Sequence, residues 1–317
     1  MLIVRKERCE SDELQVLRSL DGRAELDEKD VRYLGNLVQG YEGEVWFDQY
    51  LGEWVSSDSA LLCDLLLEVN HTHVQLDTLL VGTRRIYLFE VKNYEGDYVL
   101  DGDKMVTRSG IGVNNPFHQV SRAEQVLKRM LQQAGIQMAV ESMVVFVNPG
   151  FYLYNAGRDL PAVFYPQLSR FFVDLNRGLG GSLVGAMSGG SGLVQKQERI
   201  VKQLLGKHIA KSPFSNVPSY SYNRLKKGVL CPKCGQFMTL PEGKFFLVCR
   251  CGCMEKVDSA VLRCVAELKL LFPDRRITTS TVYDWCGGVI SSRTIVRVLK
   301  AHYKKVGDLR FSHYINS

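Results

Sequence analysis

The stretch Ile86-Tyr87-Leu88-Phe89-Glu90-Val91-Lys92 constrains this chain more than any other. β-Branched and aromatic residues dominate it and neither Gly nor Pro interrupts it, so it reads as a β-strand. Side chains of a strand alternate between faces, which puts Ile86, Leu88, Glu90 and Lys92 on one side and Tyr87, Phe89 and Val91 on the other. A carboxylate and an ammonium therefore stand side by side at the end of an apolar strand. Charges there need partners, because an unpaired buried charge is very costly. A salt bridge at the solvent end of the strand is the ordinary solution for an isolated E-x-K.

The residues upstream change that reading. Val74-Gln75-Leu76-Asp77-Thr78-Leu79-Leu80-Val81 is a second strand-like run holding one carboxylate, Asp77, and Gly82-Thr83-Arg84-Arg85 has the length of a hairpin connection. Two adjacent antiparallel strands bring Asp77 towards Glu90 and Lys92. Carboxylates held together repel unless a cation lies between them, and two or three oxygen ligands completed by water suit Mg²⁺ or Mn²⁺. Lys92 is placed to orient or activate a water, or to stabilise the charge of a phosphoryl transition state.

The order Glu44, Asp77, Glu90-Val91-Lys92 resembles the D-(x)n-E-x-K core of the PD-(D/E)xK nucleases and, more narrowly, the nuclease-related domain, NERD. The matching residues are Gly40-Tyr41-Glu42-Gly43-Glu44, Gln75-Leu76-Asp77, Phe89-Glu90-Val91-Lys92-Asn93-Tyr94-Glu95-Gly96 and Asn115-Pro116-Phe117-His118-Gln119, within residues 38–148. The Pro of the superfamily's label is absent before Asp77. The resemblance implies a restriction-endonuclease-like mixed sheet flanked by helices. It also implies a site in which Asp77 and Glu90 hold Mg²⁺ (or Mn²⁺), Glu44 assists directly or through water, Lys92 positions or activates the attacking water, and Gln119 orients that water or the phosphate.

The rest of the first two-thirds agrees with an α/β layer structure. Residues 36–51 read as a helix on which Leu37, Tyr41, Glu44, Asp48 and Leu51 share one face. Residues 98–100 and 105–107 read as a further hairpin. Asn115 and Pro116 supply an N-cap and a first helical residue for a helix reaching about residue 133. Along it Val120, Leu127 and Leu131 point inward and Arg122, Gln125 and Arg129 outward. Met143-Val144-Val145-Phe146-Val147 is a continuous apolar run, as expected of a strand buried on both faces. Strands alternating with helices predict the layered fold.

Charge divides the chain. Residues 1–200 carry 20 Lys and Arg against 27 Asp and Glu, whereas residues 201–317 carry 20 against 7. The last third is thus the part suited to meet a polyanion. The nine Cys also divide, with five between Cys231 and Cys253. An odd count with one tight cluster fits a reducing compartment and a metal site better than a disulfide framework. No run of about 18 apolar residues predicts a membrane span, and the opening residues lack the apolar region of a signal peptide. A cytoplasmic protein is the expectation.

Cys231-Pro232-Lys233-Cys234-Gly235 has the form of a zinc knuckle, a tight turn that aims two thiolates at one tetrahedral ion. Cys249-Arg250-Cys251-Gly252-Cys253 follows after fourteen residues, so the unit resembles a zinc ribbon binding structural Zn²⁺. Five thiols are on offer for four ligand places. Cys249 and Cys251 are favoured beside Cys231 and Cys234 because Cys251-Gly252 repeats the Cys-Gly of the first knuckle, with Cys253 the alternative. Beyond residue 258 three helices are expected, at 260–272, 281–286 and 293–305. On the last, Ile295, Val298 and Leu299 face a core while Arg293, Arg297, Lys300 and Lys304 form a basic stripe at intervals of four, three and four. A short helix, the Gly287-Gly288 turn and a capped basic helix resemble a helix-turn-helix, and residues 309–315 offer a wing strand.

Five segments are therefore expected: a helical lead-in at 1–36, a NERD domain at 37–210, a linker at 211–229, a zinc ribbon at 230–257 and a winged-helix-like DNA-binding domain at 258–317. Residues 178–192, rich in Gly and Ser, lack the Gly-Lys-[Ser/Thr] of a phosphate loop and read as a flexible connection. The function expected is metal-dependent DNA hydrolysis, endonucleolytic in form and compatible with a homodimer. The rival readings are a non-catalytic DNA-binding regulator built on the same scaffold and an enzyme directed at RNA.

Overall fold

The computed structural model describes the chain except residues 1, 57, 70–71, 181–189, 211–215, 242, 244, 309–311 and 317. It divides into two compact units, Met1–Cys9 with Leu37–Pro213 and Glu10–Asn36 with Phe214–Ser317. Among the described residues, no helix is long and apolar enough to cross a membrane.

The first unit is a six-stranded mixed sheet between helices, as the nuclease-like resemblance implies. Its elements are β1 (Leu2–Lys6), α2 (Glu28–Trp54, shared with the second unit), β2 (Ser59–Val69), β3 (Thr72–Val81), β4 (Arg85–Lys92), α3 (Pro116–Gln133), β8 (Ala139–Phe146), β10 (Ala162–Phe164), α4 (Leu168–Gly180) and α5 (Gly190–Gly206). The strands run in the order β1-β2-β3-β4-β8-β10. β2, β3 and β4 are antiparallel neighbours, while β8 lies parallel to β4 and β10 parallel to β8. A smaller sheet is made by β5 (Gly96–Asp101), β6 (Lys104–Thr107), β7 (Gly112–Val113) and β9 (Phe151–Tyr154).

Alternation along β4 and β8 builds the two cores. Ile86, Leu88, Val144 and Phe146 pack with Val120, Leu127 and Leu131 of α3 and with Ile200, Val201 and Leu204 of α5. Tyr87, Phe89, Val91 and Val145 pack on the other side with Phe47 and Leu51 of α2 and with Phe172 and Leu175 of α4. Asn115 caps α3 as its sequence predicts, its side chain accepting from the Phe117 amide at 2.9 Å.

The second unit contains α1 (Asp12–Arg23), the hairpin β11–β12 (Phe246–Val248 and Met254–Lys256), α6 (Val257–Leu271), α7 (Thr279–Trp285), α8 (Ser292–His302) and the hairpin β13–β14 (Tyr303–Val306 and His313–Asn316). Arg23 is fully buried at its centre. It donates to Glu267 and to the carbonyls of Lys226 and Gly228, and lies 4.0 Å over the Trp285 ring.

Several expectations change. The opening is not one helical lead-in: Leu2–Lys6 is a strand parallel to β2, and Lys6 donates to the carbonyls of Cys63 and Asp64. The helix expected at 36–51 begins eight residues earlier, at Glu28, and ends at Trp54. The last helix stops at His302 rather than 305. Tyr303 turns extended and the chain pairs with residues 313–316, so Lys304 sits on β13 instead of completing a helical stripe. Residues 217–229, expected as linker, send Leu225 and Val229 into the second unit's core. The Gly-rich stretch at 181–189, the first part of the linker at 211–215 and the start of the wing segment at 309–311 lie outside the described residues.

Candidate active site and metal centre

The strand pair brings together what the sequence separates. β3 and β4 pair from Val81 opposite Ile86 to Thr78 opposite Phe89, so Asp77 and Glu90 follow one step beyond, on a common side. Asp77 accepts the Val91 amide at 3.1 Å, and Lys92 Nζ lies 2.7 Å from Glu90 Oε1. Asp77 and Glu90 are each only 7 % exposed, two of the few buried acids in the chain.

Helix α2 supplies Glu44 and, one turn later, Asp48. Gly43 explains how the helix comes so close. A β-carbon there would stand 2.4 Å from Cβ of Asn93, the residue after Lys92. The approach is locked by two hydrogen bonds, from Gln39 to the Asn93 carbonyl at 2.7 Å and from the Asn93 amide group to the Gln39 carbonyl at 2.8 Å. Asn148 donates in turn to the Asn93 side chain at 3.1 Å.

One central residue carries no signal in the sequence. Arg8 has 4 % of its side chain exposed and joins four groups. It donates to Glu44 Oε2 at 2.6 Å, to Asp48 Oδ2 at 2.6 Å, to the Asp77 carbonyl at 2.7 Å and to Thr78 Oγ1 at 2.8 Å. Thr78 donates onward to Asp48 at 3.0 Å. Asp64, on β2 with φ 55°, adds a fifth carboxylate. That left-handed backbone is uncommon outside Gly, Asn and Asp, and such residues gather at functional sites.

Burial raises three of these carboxyl groups, Glu44, Asp77 and Glu90. Burial, and then the Asp77 charge, push Glu44 up to about 8 against the pull of Arg8. Burial and Asp77 likewise push Glu90 up to about 7 against Lys92. Asp77 is raised too, chiefly by burial, with Lys92 and the Val91 amide opposing. Burial would lower Lys92, but Glu90 and Asp77 outweigh it and keep the ammonium charged well beyond its usual range. Gln119 stands apart: it is exposed in the first turn of α3, with no hydrogen bond to these carboxylates among the described residues.

Carboxylate oxygens are the ligand type that a hard divalent cation prefers. Asp77 and Glu90 fit it best, being neighbours on adjacent strands. Glu44 is held by Arg8, and the three carboxylates do not converge as tightly as the thiols described next. An Asp on one strand and an E-x-K on its antiparallel partner, in a mixed sheet between helices, form the arrangement that the resemblance implies. Residues 39–147 match the family model of the nuclease-related domain, NERD, and the chain carries such a domain there. Arg8 lies outside the matched stretch. No curated protein matches the chain. Among solved structures, protein VC1899 from Vibrio cholerae is similar at 12% identity and a TM-score of 0.26, over 49% of this chain. The likeness spans 37% of that protein's chain.

In the second unit Cys231, Cys234, Cys249 and Cys251 place their sulfurs within 4.8 Å of one another. Cys231 and Cys251 are 3.7 Å apart and Cys234 and Cys249 3.4 Å, against about 3.7 Å for thiolates tetrahedral around zinc at about 2.3 Å. Both knuckles turn through a left-handed glycine, Gly235 at φ 69° and Gly252 at φ 85°. Although burial opposes it, the amides of Lys233 and Cys234 bring the Cys231 thiol down to about 6, towards the thiolate that a metal needs. Cys253 stands outside the group. Its carbonyl accepts the Cys249 amide at 2.9 Å, closing the turn, and its side chain packs on the unit's core.

Arg293, Arg297, Lys300 and Lys304 are all exposed, but their surroundings differ. Arg293, Arg297 and Lys300 lie on α8 and Lys304 on β13. Arg297 is paired with Asp258 of α6. Between α7 and α8 the chain turns through Gly287 and Gly288, at φ 65° and 70°, and Ser291 caps α8 by accepting the Thr294 amide at 3.3 Å.

Proposed function

We propose that the protein is a metal-dependent nuclease that hydrolyses phosphodiester bonds of DNA, with its zinc ribbon and C-terminal helices as the DNA-engaging part. The observation that carries the reading is the buried Asp77, Glu90 and Lys92 constellation, with the ammonium 2.7 Å from one carboxylate. Asp77 and Glu90 would hold Mg²⁺ or Mn²⁺, which when bound lowers the pKa of water and stabilises charge on the phosphoryl oxygens. Lys92, charged and fixed by Glu90, orients the attacking water and faces the charge that develops on the phosphate. Arg8 sets Glu44 and Asp48, so that Glu44 can reach the cation through a water. The four cysteines hold structural Zn²⁺, since four thiolates leave no open ligand position. α7, the glycine turn, α8 and the β13–β14 hairpin support a winged helix-turn-helix reading, in which Arg293 and Lys300, without an ion pair among the described residues, offer the cations of the recognition helix.

The test is cleavage of linear and covalently closed circular DNA with Mg²⁺, Mn²⁺ or neither, by wild type, Glu90→Gln and Lys92→Ala. Metal-dependent cutting of the circle, lost in both variants, is expected of an endonuclease. DNA that stays intact but bound under every metal condition would replace this reading with that of a DNA-binding regulator.

A further inference from the structure

The zinc ribbon presents an outer face that its own unit leaves uncovered. Phe246 lies opposite Lys256 and Val248 opposite Met254, and Thr239 bridges Val248 from the first knuckle's side. The inner face is spoken for: Leu247 and Met238 are buried in the core, and Glu255 is held by Arg263 at 2.6 Å. On the outer face Phe246 and Met254 are 39 % and 64 % exposed, and the adjoining Phe245 is 80 % exposed. A sheet packed by one face on a core ordinarily turns polar side chains outward, and contiguous exposed apolar residues mark an interaction surface.

Cations share the module. Lys256 stands directly across from Phe246, and Lys233 and Arg250 are exposed in the two knuckles. Aromatic faces set among cations suit a ligand with flat apolar groups strung on a negative backbone. We propose that this face is the docking site of an unpaired nucleic-acid strand, its bases stacking on Phe245 and Phe246 beside Met254 and its phosphates neutralised by Lys256, Arg250 and Lys233. A duplex keeps its bases stacked on one another and has no free faces to offer. A second copy of this chain would bring the same cations against themselves. The inference rests on the nucleic-acid reading above but not on cleavage, and it adds that the partner is single-stranded.

The experiment is fluorescence anisotropy of the zinc-loaded full chain without added Mg²⁺, using labelled oligothymidine, oligouridine and a blunt DNA duplex of equal length. Single strands are expected to bind more tightly than the duplex, and the two sugars show whether DNA or RNA is taken. Phe245→Leu and Phe246→Leu keep apolar bulk and remove the ring, so each should weaken single-strand binding on the order of tenfold. Zinc content and duplex binding should be unchanged. Lys256→Gln should reduce the salt dependence by about one phosphate contact. Single-strand binding that survives both leucine variants overturns the inference and leaves the nuclease reading standing. So does a sedimenting dimer that those variants dissociate with oligonucleotide affinity intact. A wild type that binds no nucleic acid at all overturns both.

Discussion

Raising the pH of the Mg²⁺-free protein should destabilise the first unit, contrary to the behaviour of most carboxylate-rich folds. Glu44 is displaced from the usual 4.5 to about 8 and Glu90 from 4.5 to about 7. Both are raised, so the native state holds protons that the unfolded chain has released. Their stabilisation is complete below the ordinary carboxylate range and is lost as pH climbs through 7 and 8. Between pH 6.5 and 8.5 the loss is roughly 2 kcal/mol, since one pKa unit is worth about 1.4 kcal/mol. For a domain of this size that is about 4–8 °C in melting temperature. Two other perturbed carboxylates lie clear of this window. Glu198 and Asp258, held low by Arg5 and Arg297, are already ionised there. His208, lowered by burial and by Lys6, works in the opposite direction, because the unfolded chain holds its proton more readily. The assay is scanning calorimetry of protein dialysed free of Mg²⁺ and Mn²⁺ with its zinc retained. Added Mg²⁺ should raise the melting temperature more at pH 8.5 than at 6.5, because only the ionised carboxylates bind it. Glu44→Gln should flatten the metal-free curve. A melting temperature that is level or rising from pH 6.5 to 8.5, or a slope that Glu44→Gln leaves untouched, would refute the reasoning.

Arg8→Gln leaves Glu44 and Asp48 without their buried cation, and should cost about 3–5 kcal/mol, read as a lower denaturant midpoint. Arg8→Lys should recover part of the loss but not the four-way bonding. Gly43→Ala must move α2 away from Asn93 and should cost about 1–3 kcal/mol; loss of cleavage at temperatures where this variant remains folded would show that the close approach serves the site as well as the fold. Cys234→Ser should lower bound zinc below one equivalent and reduce the second unit's resistance to proteolysis, whereas Cys253→Ser should leave zinc content unchanged. Asp258→Asn releases Arg297, and should tighten DNA binding and steepen its salt dependence by about one phosphate contact; unchanged affinity would place Arg297 away from the DNA.

Much of this arrangement was legible because its signals are local. Asp77 is conspicuous as one acid in an apolar strand, and a four-residue connection leaves β3 and β4 little choice but to pair, so the Asp77–Glu90–Lys92 grouping follows from short-range rules. Asn115-Pro116 marks the start of α3 for the same reason. The choice of Cys249 and Cys251 over Cys253 rested on one repeated Cys-Gly, and it agrees with the sulfur cluster because Gly252 takes the left-handed turn that ends the knuckle. Lys304 follows no such punctuation. Nothing between Arg293 and Lys305 breaks a helix, and only pairing with residues 313–316 ends it at His302.

Arg8 lies at the other extreme. Its partners Glu44, Asp48 and Thr78 are 36, 40 and 70 residues away, and it stands in a charged segment that reads as solvated surface. What buries it is β1, a five-residue strand whose parallel pairing to β2 is a non-local event without a turn signal. Once β1 is in place, Arg8 meets two carboxylates from α2 and a carbonyl and hydroxyl from β3. Its charge then adds to that of Lys92 in offsetting the carboxylate repulsion within the nuclease-related stretch at 39–147. The consequence is testable by truncation. A chain lacking residues 1–9 retains Asp77, Glu90 and Lys92, yet should require more Mg²⁺ for half-maximal cleavage, because Glu44 and Asp48 lose the cation that sets their orientation. An unchanged Mg²⁺ requirement, with the truncated chain folded, would reduce Arg8 to a structural ion pair.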